Sequence, residues 1–175
     1  MSIYNNKHVV FEQVGVDSDT VVRNQSTNTD TDNCYNNYEI SNIRNAVLPT
    51  KALALSNELY ATLTNTTIQT AKNGNSSTLV STSDKTFILA EKEMTASPSY
   101  AVSAESNALI TLGWWVNHTQ ASDRVKTDFS NVAQKYWLRS PRSSRDDFVV
   151  GVASIGGFGN VSAPDTRCVA QCFAY

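Results

Sequence analysis

The sequence contains few charged residues. Asp, Glu, Lys and Arg make up only 17% of the 175 residues, and the formal net charge is −2. Lys and Arg form no basic stripe, which argues against nucleic-acid binding because neutralising phosphates needs several convergent cations. The same absence argues against an electrostatic membrane anchor. Asn, Ser and Thr take the place of the missing charge, so we expect a polar and weakly charged surface.

Long apolar stretches are also missing. No run reaches the roughly 18–20 residues that a membrane-spanning helix needs, so we expect no membrane insertion. Residues 1–7 lack the apolar core of a signal peptide, which predicts synthesis and folding in a cytoplasm. The length suits one domain that buries a sizeable core.

Cysteine is scarce, with Cys34, Cys168 and Cys172 as the three examples. An odd number without a signal peptide argues against a disulfide framework. Zinc needs about four ligands, and both histidines, His8 and His118, lie far from the cysteines in sequence. We therefore expect the cysteines to be small buried side chains, with no metal site and no cofactor.

Residues 24–33 contain no apolar side chain and predict a solvated loop or linker. Asp30 and Asp32 alternate with threonines as in a calcium loop, but the segment lacks the glycine and the distal glutamate of an EF-hand. Calcium binding is therefore disfavoured. We divide the chain into an N-terminal strand or arm with a polar linker, residues 1–33, and a folded domain, residues 34–175.

Two helices are expected early in that domain. Ser41 is a suitable N-cap for the first helix, which Pro49 should end. The second helix is expected from Leu53 to Leu63. Its leucines at positions 55, 59 and 63 repeat at helical spacing and predict a core-facing stripe.

The part of the domain after these two helices is expected to consist mainly of short strands. Early helices followed by short strands indicate an α+β fold class. The adjacent Trp114 and Trp115 should place one ring on each side of a strand, or one ring inward and one at an interface. Residues 73–77 predict a turn, residues 142–147 a polar loop, and residues 156–160 a turn with Phe158 at its tip. The expected strands are residues 8–16, 65–71, 86–90, 148–155 and 168–175.

The most informative segment is a hexapeptide that predicts a buried strand leading into a turn. Arg139 can pair with a carboxylate or cap backbone carbonyls, and Pro141 should end the strand. Its residues are Tyr136, Trp137, Leu138, Arg139, Ser140 and Pro141.

The order of several segments resembles a family of uncharacterised domains with a C-type-lectin-like fold. These domains are common in phages and prophages of Gram-positive and gut bacteria. The resemblance covers about residues 34–175 and rests on residues 37–44, 84–93, 136–141 and 168–173. The family usually closes with Gly-Val-(Arg/Ala)-Pro-(Ala/Gly)-Phe, whereas this sequence has Cys168 and Cys172 at the small positions and Gln171 in place of proline.

The resemblance implies a non-enzymatic structural protein on a virion surface, either a head decoration or a tail or baseplate component. Other capsid or tail proteins would be partners, contacted through residues 1–33, which can add a strand to a neighbour. By analogy the protein would be a homo-oligomer, with a trimer as the expected state. Alternatively, residues 1–33 pack on their own domain and do not contact a neighbour.

A more remote resemblance links the chain to the retroelement-diversified tropism determinants of phages, which contact host ligands through loops near the last strands. It implies a dedicated receptor-binding protein as the alternative function, with a host-surface glycan or protein as ligand. Neither Glu-Pro-Asn nor Gln-Pro-Asp occurs, so calcium-dependent sugar binding is disfavoured. Trp114, Trp115 or Phe158 could stack on a sugar ring. The candidate contact residues are Arg142, Arg145, Asp146, Asp147, Phe158, Asn160, Asp165 and Arg167.

An enzyme is the third reading. Formylglycine-generating oxidases share the broad fold and use a cysteine pair, for which Cys168 and Cys172 are the candidates. On a strand, however, residues four apart lie about 13 Å from each other, which is too far to share a metal. A Ser/His/Asp hydrolase would need His8 or His118 beside a nucleophile, and no nucleophile-elbow motif occurs. We therefore expect no enzymatic activity.

Overall fold

The computed structural model describes residues 2–4, 8–13, 15–16, 19–24 and 36–174. The polar segment predicted at 24–33 lies outside the described residues, apart from Asn24. The calcium alternative at Asp30 and Asp32 and the expectation for Cys34 also fall outside them.

The described residues form an α+β domain of short helices and small antiparallel sheets, which confirms the predicted class. The strands are β1 Ser2–Tyr4, β2 His8–Glu12, β3 Val21–Val22, β4 Thr66–Ala71, β5 Leu79–Asp84, β6 Thr86–Phe87, β7 Lys126–Thr127, β8 Ala133–Gln134, β9 Tyr136–Pro141, β10 Phe148–Val152, β11 Phe158–Ser162, β12 Thr166–Arg167 and β13 Cys172–Ala174. The helices are α1 Leu48–Leu53, α2 Asn57–Thr62, α3 Glu91–Met94, α4 Ser103–Ala108 and α5 Gly113–Asn117, with a π-helical turn at Ile43–Val47 and a 3₁₀ turn at Ala121–Arg124.

Strands from both ends of the chain share one sheet. The four-stranded sheet has the order β1-β2-β13-β6, and all of its pairs are antiparallel. Cys172 of β13 lies opposite Glu12 on one side and Phe87 on the other. A second sheet has the order β11-β10-β9, and the remaining strands form the pairs β12-β3, β4-β5 and β7-β8. Residues 1–33 therefore contribute strands that pair with strands of residues 34–175.

The first helical segment begins where the sequence predicts but ends later. The Ser41 hydroxyl accepts the backbone N–H of Arg44 at 3.2 Å. Pro49 does not end the helix, and that prediction was wrong. It lies at the start of α1, directly after the π-helical turn Ile43–Val47, and the backbone stays helical through Val47 and Leu48. The helix ends at Leu53 instead, and Ser56 caps α2 by accepting the N–H of Leu59.

The predicted leucine stripe is largely wrong. Leu63 is buried, but it follows the last residue of α2, and Leu55 and Leu59 are only half-buried. None of the residues of α2 is buried. The helix spans only six residues, so its apolar face is too short to cover the core.

The two adjacent tryptophans lie on a helix rather than on a strand. Trp115 of α5 is buried, whereas Trp114 is 50% exposed. The Trp114 ring stacks on His118, with 3.7 Å between ring centroids. One ring therefore points inward, as the sequence suggests, and the other lies at the surface.

The predicted hexapeptide strand is confirmed as β9, and all of its residues are buried. The register between β9 and β10 shifts between Val149 and Gly151, which marks a β-bulge opposite Leu138 to Ser140. The indole N–H of Trp137 donates to the carbonyl of Val21 at 2.9 Å. This strand therefore joins the centre of the core to the N-terminal segment.

The predicted turn at residues 156–160 lies several residues earlier. The chain reverses at residues 153–157, and Ile155 is exposed at the tip. Gly156 has a φ of +82°, and a Cβ there would lie 1.7 Å from the carbonyl oxygen of Ala121. Phe158 is the first residue of β11 and not a tip residue, so that prediction was wrong.

Candidate ligand-binding loop

Arg139 holds β9 in place directly before the predicted contact loop. Its guanidinium and the carboxylate of Glu93 are both fully buried and form two hydrogen bonds of 2.6 and 2.5 Å. The same guanidinium donates to the carbonyls of Gln69 at 3.2 Å and Ile88 at 2.8 Å. The sequence predicted a carboxylate partner or capped carbonyls, and the structure has both.

The next residues fix a neighbouring turn. The hydroxyl of Ser140 accepts the N–H of Glu91 at 2.9 Å. The carboxylate of Glu91 accepts the N–H groups of residues 99–101 at 3.0, 3.0 and 2.7 Å. The carbonyl of Tyr100 in that turn accepts the N–H of Ser143 at 2.8 Å. The buried hydrogen bonds below the loop therefore determine where the loop starts.

The predicted loop, residues 142–147, packs closely against Gly74. A Cβ at Gly74 would lie 1.8 Å from the carbonyl oxygen of Arg145 and 2.1 Å from that of Arg142. The carbonyl of Gly74 accepts the N–H of Ser144 at 2.7 Å. Ser144 has a φ of +62°, an uncommon conformation that this contact helps to hold. Only glycine fits at position 74 in this arrangement.

Two asparagine side chains brace the loop from other directions. The Asn36 amide donates to the carbonyls of Arg145 at 2.6 Å and Phe148 at 3.0 Å. The Asn75 amide donates to the carboxylate of Asp146 at 2.9 and 3.1 Å. The loop is therefore held by segments that lie far apart in the sequence.

Arg145 and Asp147 form a surface ion pair within the loop. Two hydrogen bonds of 3.0 and 2.9 Å join the guanidinium to the carboxylate, and the side chains are 53% and 43% exposed. The hydrogen bonds from Arg145 lower the pKa of Asp147. The Arg145 guanidinium also lies over the Phe148 ring, 4.4 Å from its centroid.

Arg142 differs from Arg145 in its surroundings. Its guanidinium lies 5.8 Å from the centroid of the Tyr100 ring and donates to the carbonyl of Ser143. Its Nε is buried and has no hydrogen-bond partner, and no carboxylate in the described part of the chain pairs with it. Arg142 is thus a half-buried cation held in place by neutral groups.

A cleft opens on each side of the loop, and Ser143 and Ser144 line both. The first cleft, of about 260 Å³, is lined by Arg142, Ser143, Ser144, Arg145, Phe148 and Asn160. The second, of about 430 Å³, is lined by Gly74, Asn75, Ser76, Ser77, Val102, Ser103, Ala104, Asn107, Ser143 and Ser144. The described residues that line them offer hydroxyl, amide and guanidinium groups and include no carboxylate.

The structure brings only some of the predicted contact residues together. Arg142, Arg145 and Asn160 line the first cleft, while Asp146 and Asp147 bond to neighbouring side chains of the loop region. Phe158 lies elsewhere, with the guanidinium of Arg124 at 4.4 Å from its ring centroid.

The last two predicted residues do not line either cleft. Asp165 is exposed in the turn between β11 and β12. Arg167 donates to the carbonyl of Val152 at 3.2 Å, and its guanidinium lies over the Trp137 ring. Burial lowers the pKa of Arg167. Of the second predicted loop, residues 158–167, Asn160 shares a cleft with residues 142–147, whereas the other predicted contact residues of that loop line neither cleft.

The second cleft escaped the sequence prediction. The sequence identifies residues 73–77 as a turn, and the structure confirms that turn, but no local pattern shows that it docks on residues 142–147. The glycine of Asn73-Gly74-Asn75 is the one available signal, because glycine permits close backbone approach. No feature of the sequence indicates that Ser103 and Asn107 line this cleft.

A buried carboxyl lies behind the second cleft. Glu105 of α4 accepts the hydroxyl of Thr70 at 2.7 Å and the N–H of Ala71 at 2.9 Å through the same oxygen. Burial raises the pKa of Glu105. The group therefore holds α4 against β4 and retains its proton to higher pH than an exposed carboxyl.

Both described cysteines are buried thiols, as the sequence predicts. Burial raises the pKa of the Cys172 thiol well above its ordinary value, which is opposite to the shift that activates a cysteine nucleophile. Residues 168–171 are not a strand, so the strand spacing expected between the two cysteines does not apply. Among the described residues, no group of three or more His, Cys, Asp or Glu side chains is placed to hold a metal ion.

The described helices are all too short or too polar to cross a membrane. No curated protein and no solved structure matches the chain at a significant level. One family profile does match, and it spans residues 12–170, which is most of the chain. The chain therefore belongs to the family described as a domain of unknown function, DUF6273.

Proposed function

We propose that the protein is a non-enzymatic phage virion-surface protein that displays a C-type-lectin-like domain and binds a host-surface glycan. The ligand would lie in the two clefts beside residues 142–147. The observation that carries the proposal is the braced loop beside two clefts whose lining includes hydroxyl, amide and guanidinium groups. The virion location rests on the resemblance of the sequence to phage-associated domains.

Two features of the architecture support the C-type-lectin-like fold. β13 lies between β2 and β6, so the two ends of the chain close one sheet. The hexapeptide Tyr136–Pro141 forms β9 of a second small sheet, and the loop of residues 142–147 connects it to β10. A sheet that carries loops between its strands is a suitable scaffold for recognition.

The rigidity of the loop supports a binding role. Hydrogen bonds from Asn36, Asn75 and Ser144 fix its backbone or side chains before any ligand arrives. A preorganised loop loses little conformational freedom on binding, so more of the contact energy contributes to affinity. The hydroxyl and amide groups that line the clefts suit a ligand with many hydroxyl groups.

The surroundings of the cysteines and of His118 support recognition rather than catalysis. The thiols of Cys168 and Cys172 are part of the hydrophobic core. The Nδ1 of His118 lies 2.7 Å from the carbonyl of Trp114, and its ring stacks on Trp114. These side chains are engaged in packing, which favours a structural role over that of an oxidase or hydrolase.

Attachment to the particle and oligomeric state are part of the same proposal. Residues 1–33 would contact other capsid or tail proteins, and the protein would form a trimer by analogy with related phage proteins. β1 lies at one edge of the four-stranded sheet, and β2 is paired on both sides. Strand addition by a neighbour would therefore use the outer edge of β1.

A dedicated receptor-binding or tropism protein is the second candidate function. The braced loop favours it as well, since a fixed scaffold can present variable contact residues. The two candidates differ in location: a virion-surface structural protein lies on the capsid lattice or is a tail or baseplate component, and a dedicated receptor-binding protein lies at the tail tip.

The experiment combines localisation and adsorption. Cryo-electron microscopy of the phage particle that carries this gene should show the chain on the capsid or tail. The purified protein should compete with the phage for host cells. An Arg145→Ala/Asn160→Ala variant should compete about tenfold less well, because both side chains line the first cleft. Asp165→Ala is the matched control, since Asp165 is exposed outside both clefts.

Two results would contradict the proposal. A particle that lacks the chain would remove the virion role. Equal competition by the wild type, the double variant and the control would remove the loop from host recognition.

A further inference from the structure

We infer that the ligand of the two clefts is an anionic sugar polymer, with Arg142 as the group that binds its carboxylate or phosphate. The inference rests on the proposed function and specifies the class of glycan. The carboxylate or phosphate is the shared chemistry, because a guanidinium binds either group through paired hydrogen bonds.

Among the described residues, two charges of the loop have no ion-pair partner, the cation of Arg142 and the anion of Asp146. Asp147 neutralises Arg145 through two hydrogen bonds. The carboxylate of Asp146 is bonded to the Asn75 amide and lines neither cleft. Arg142 lines the first cleft and has no carboxylate partner among the residues that the structure describes. The first cleft therefore carries a local positive charge.

The position of Arg142 is fixed although its charge is unpaired. The Tyr100 ring lies below the guanidinium, and the Ser143 carbonyl accepts one of its N–H groups. The buried Nε has no hydrogen-bond partner, so burial of this cation is incompletely compensated. An anion in the cleft would supply the missing counter-charge, whereas a neutral sugar would not.

The arrangement of the clefts favours a polymer over a single sugar. Ser143 and Ser144 line both clefts, so one chain can pass over these serines from one cleft to the other. The volumes of about 260 and 430 Å³ are near the size of ordinary small-ligand sites. The second cleft supplies hydroxyl and amide groups for the hydroxyls of the next unit.

The test measures binding of the purified full-length chain to three soluble polymers by calorimetry. Hyaluronan carries carboxylates, phosphorylated dextran carries phosphates, and dextran is neutral. We expect at least one acidic polymer to bind at least about tenfold more tightly than dextran, with an affinity that falls as salt rises. The acidic polymer that binds identifies the anionic group.

Two substitutions test the role of the cation in opposite directions. Arg142→Gln should weaken binding to the acidic polymer by about tenfold, because it removes one charge-assisted contact. Asp147→Asn should strengthen binding, because it releases Arg145 from its counter-charge. A gain of affinity cannot result from misfolding, and thermal unfolding of both variants checks that each one folds.

The outcomes separate this inference from the proposed function. Tighter or equal binding of dextran, or an Arg142→Gln affinity equal to that of the wild type, would overturn the anionic ligand. If Asn160→Ala then abolishes dextran binding, the proposed glycan binding at the clefts stands, and only the anionic character of the ligand is rejected. Absence of binding to all three polymers, and to polysaccharide purified from the host cell wall, would overturn both.

Discussion

The arginines of two arginine–carboxylate pairs lie close together in the sequence, but the two pairs have very different surroundings. Arg139 and Glu93 are fully buried, whereas Arg145 and Asp147 are about half exposed. Both pairs have two hydrogen bonds, and those of the buried pair are shorter. In the buried pair each charge is stabilised by its partner, because no solvent reaches the pair to stabilise an unpaired charge. In the exposed pair water screens both charges, so the pair contributes little to stability. The first pair maintains the fold, whereas the second can be broken at little cost to stability.

Breaking the buried pair should have the largest effect. Glu93→Gln removes the counter-charge of Arg139 and leaves a cation in the core. We expect the free energy of unfolding to fall by about 3–5 kcal/mol, which is a large part of the stability of a small domain. Urea unfolding measures this loss.

The double variant Arg139→Met/Glu93→Met is the control for this prediction. It removes both charges, so it should be more stable than Glu93→Gln alone. A loss below about 1 kcal/mol in Glu93→Gln would show that the buried pair behaves like a surface pair.

Changing Gly74, which packs against the loop that carries the exposed pair, should lower stability by an intermediate amount. Gly74→Ala places a methyl group within 2.1 Å of two backbone oxygens of the loop. We expect the turn and the loop to move apart, with a loss of about 1–3 kcal/mol and weaker ligand binding. Gly159→Ala is the matched control, because its added methyl would meet nothing within 4 Å. Equal stability of the two variants would contradict the close packing of Gly74 on the loop.

The buried acid behind the second cleft predicts a pH effect. Burial raises the pKa of Glu105 above its ordinary value of 4.5. Between the unfolded and folded pKa values the folded state binds more protons than the unfolded state. The free energy of unfolding therefore falls as pH rises through this range, and it is constant above the folded pKa.

Glu105→Gln should remove this dependence, because the amide has no proton to lose. Urea unfolding at several pH values above 4.5 should show a smaller decline in the variant than in the wild type. Burial also raises the pKa of Glu12, but Glu12 is present in both proteins and cancels in the comparison. Parallel curves would show that Glu105 titrates like an exposed carboxyl.

Removing the exposed pair should have the smallest effect on stability. Asp147→Ala breaks the ion pair with Arg145, and we expect the free energy of unfolding to change by less than about 1 kcal/mol. Thermal unfolding at low and high salt checks this expectation. A loss as large as that of Glu93→Gln would mean that the loop is part of the core.

The sequence predicts those parts of the fold that follow from local residue types. The run from Tyr136 to Pro141 is a buried strand because its apolar residues and terminal proline are local signals. The polar composition of residues 142–147 predicts their loop, and Ser41 predicts a helix start. Arg139 has the partners that its chemistry requires, although the sequence does not identify Glu93 as one of them.

The wrong predictions concern positions whose conformation or contacts are determined by tertiary structure. Pro49 is compatible with a first helical turn as well as with a helix end, so its presence does not locate the break. Phe158 follows two glycines, and only the approach of Gly156 to Ala121 places the turn before it. The docking of Gly74 on the loop joins distant segments, so no local pattern reveals the second cleft. The site is consequently harder to predict than the strand that supports it.

The pairing of Glu12 with Cys172 has a consequence for folding kinetics. β13 occupies a central position in its sheet, yet its partner β2 comes from the opposite end of the domain. During synthesis β2 lacks this neighbour until residue 172 has left the ribosome, so the sheet cannot form earlier. Contacts of such high contact order slow folding, and they prolong the time in which apolar strands stay exposed to aggregation.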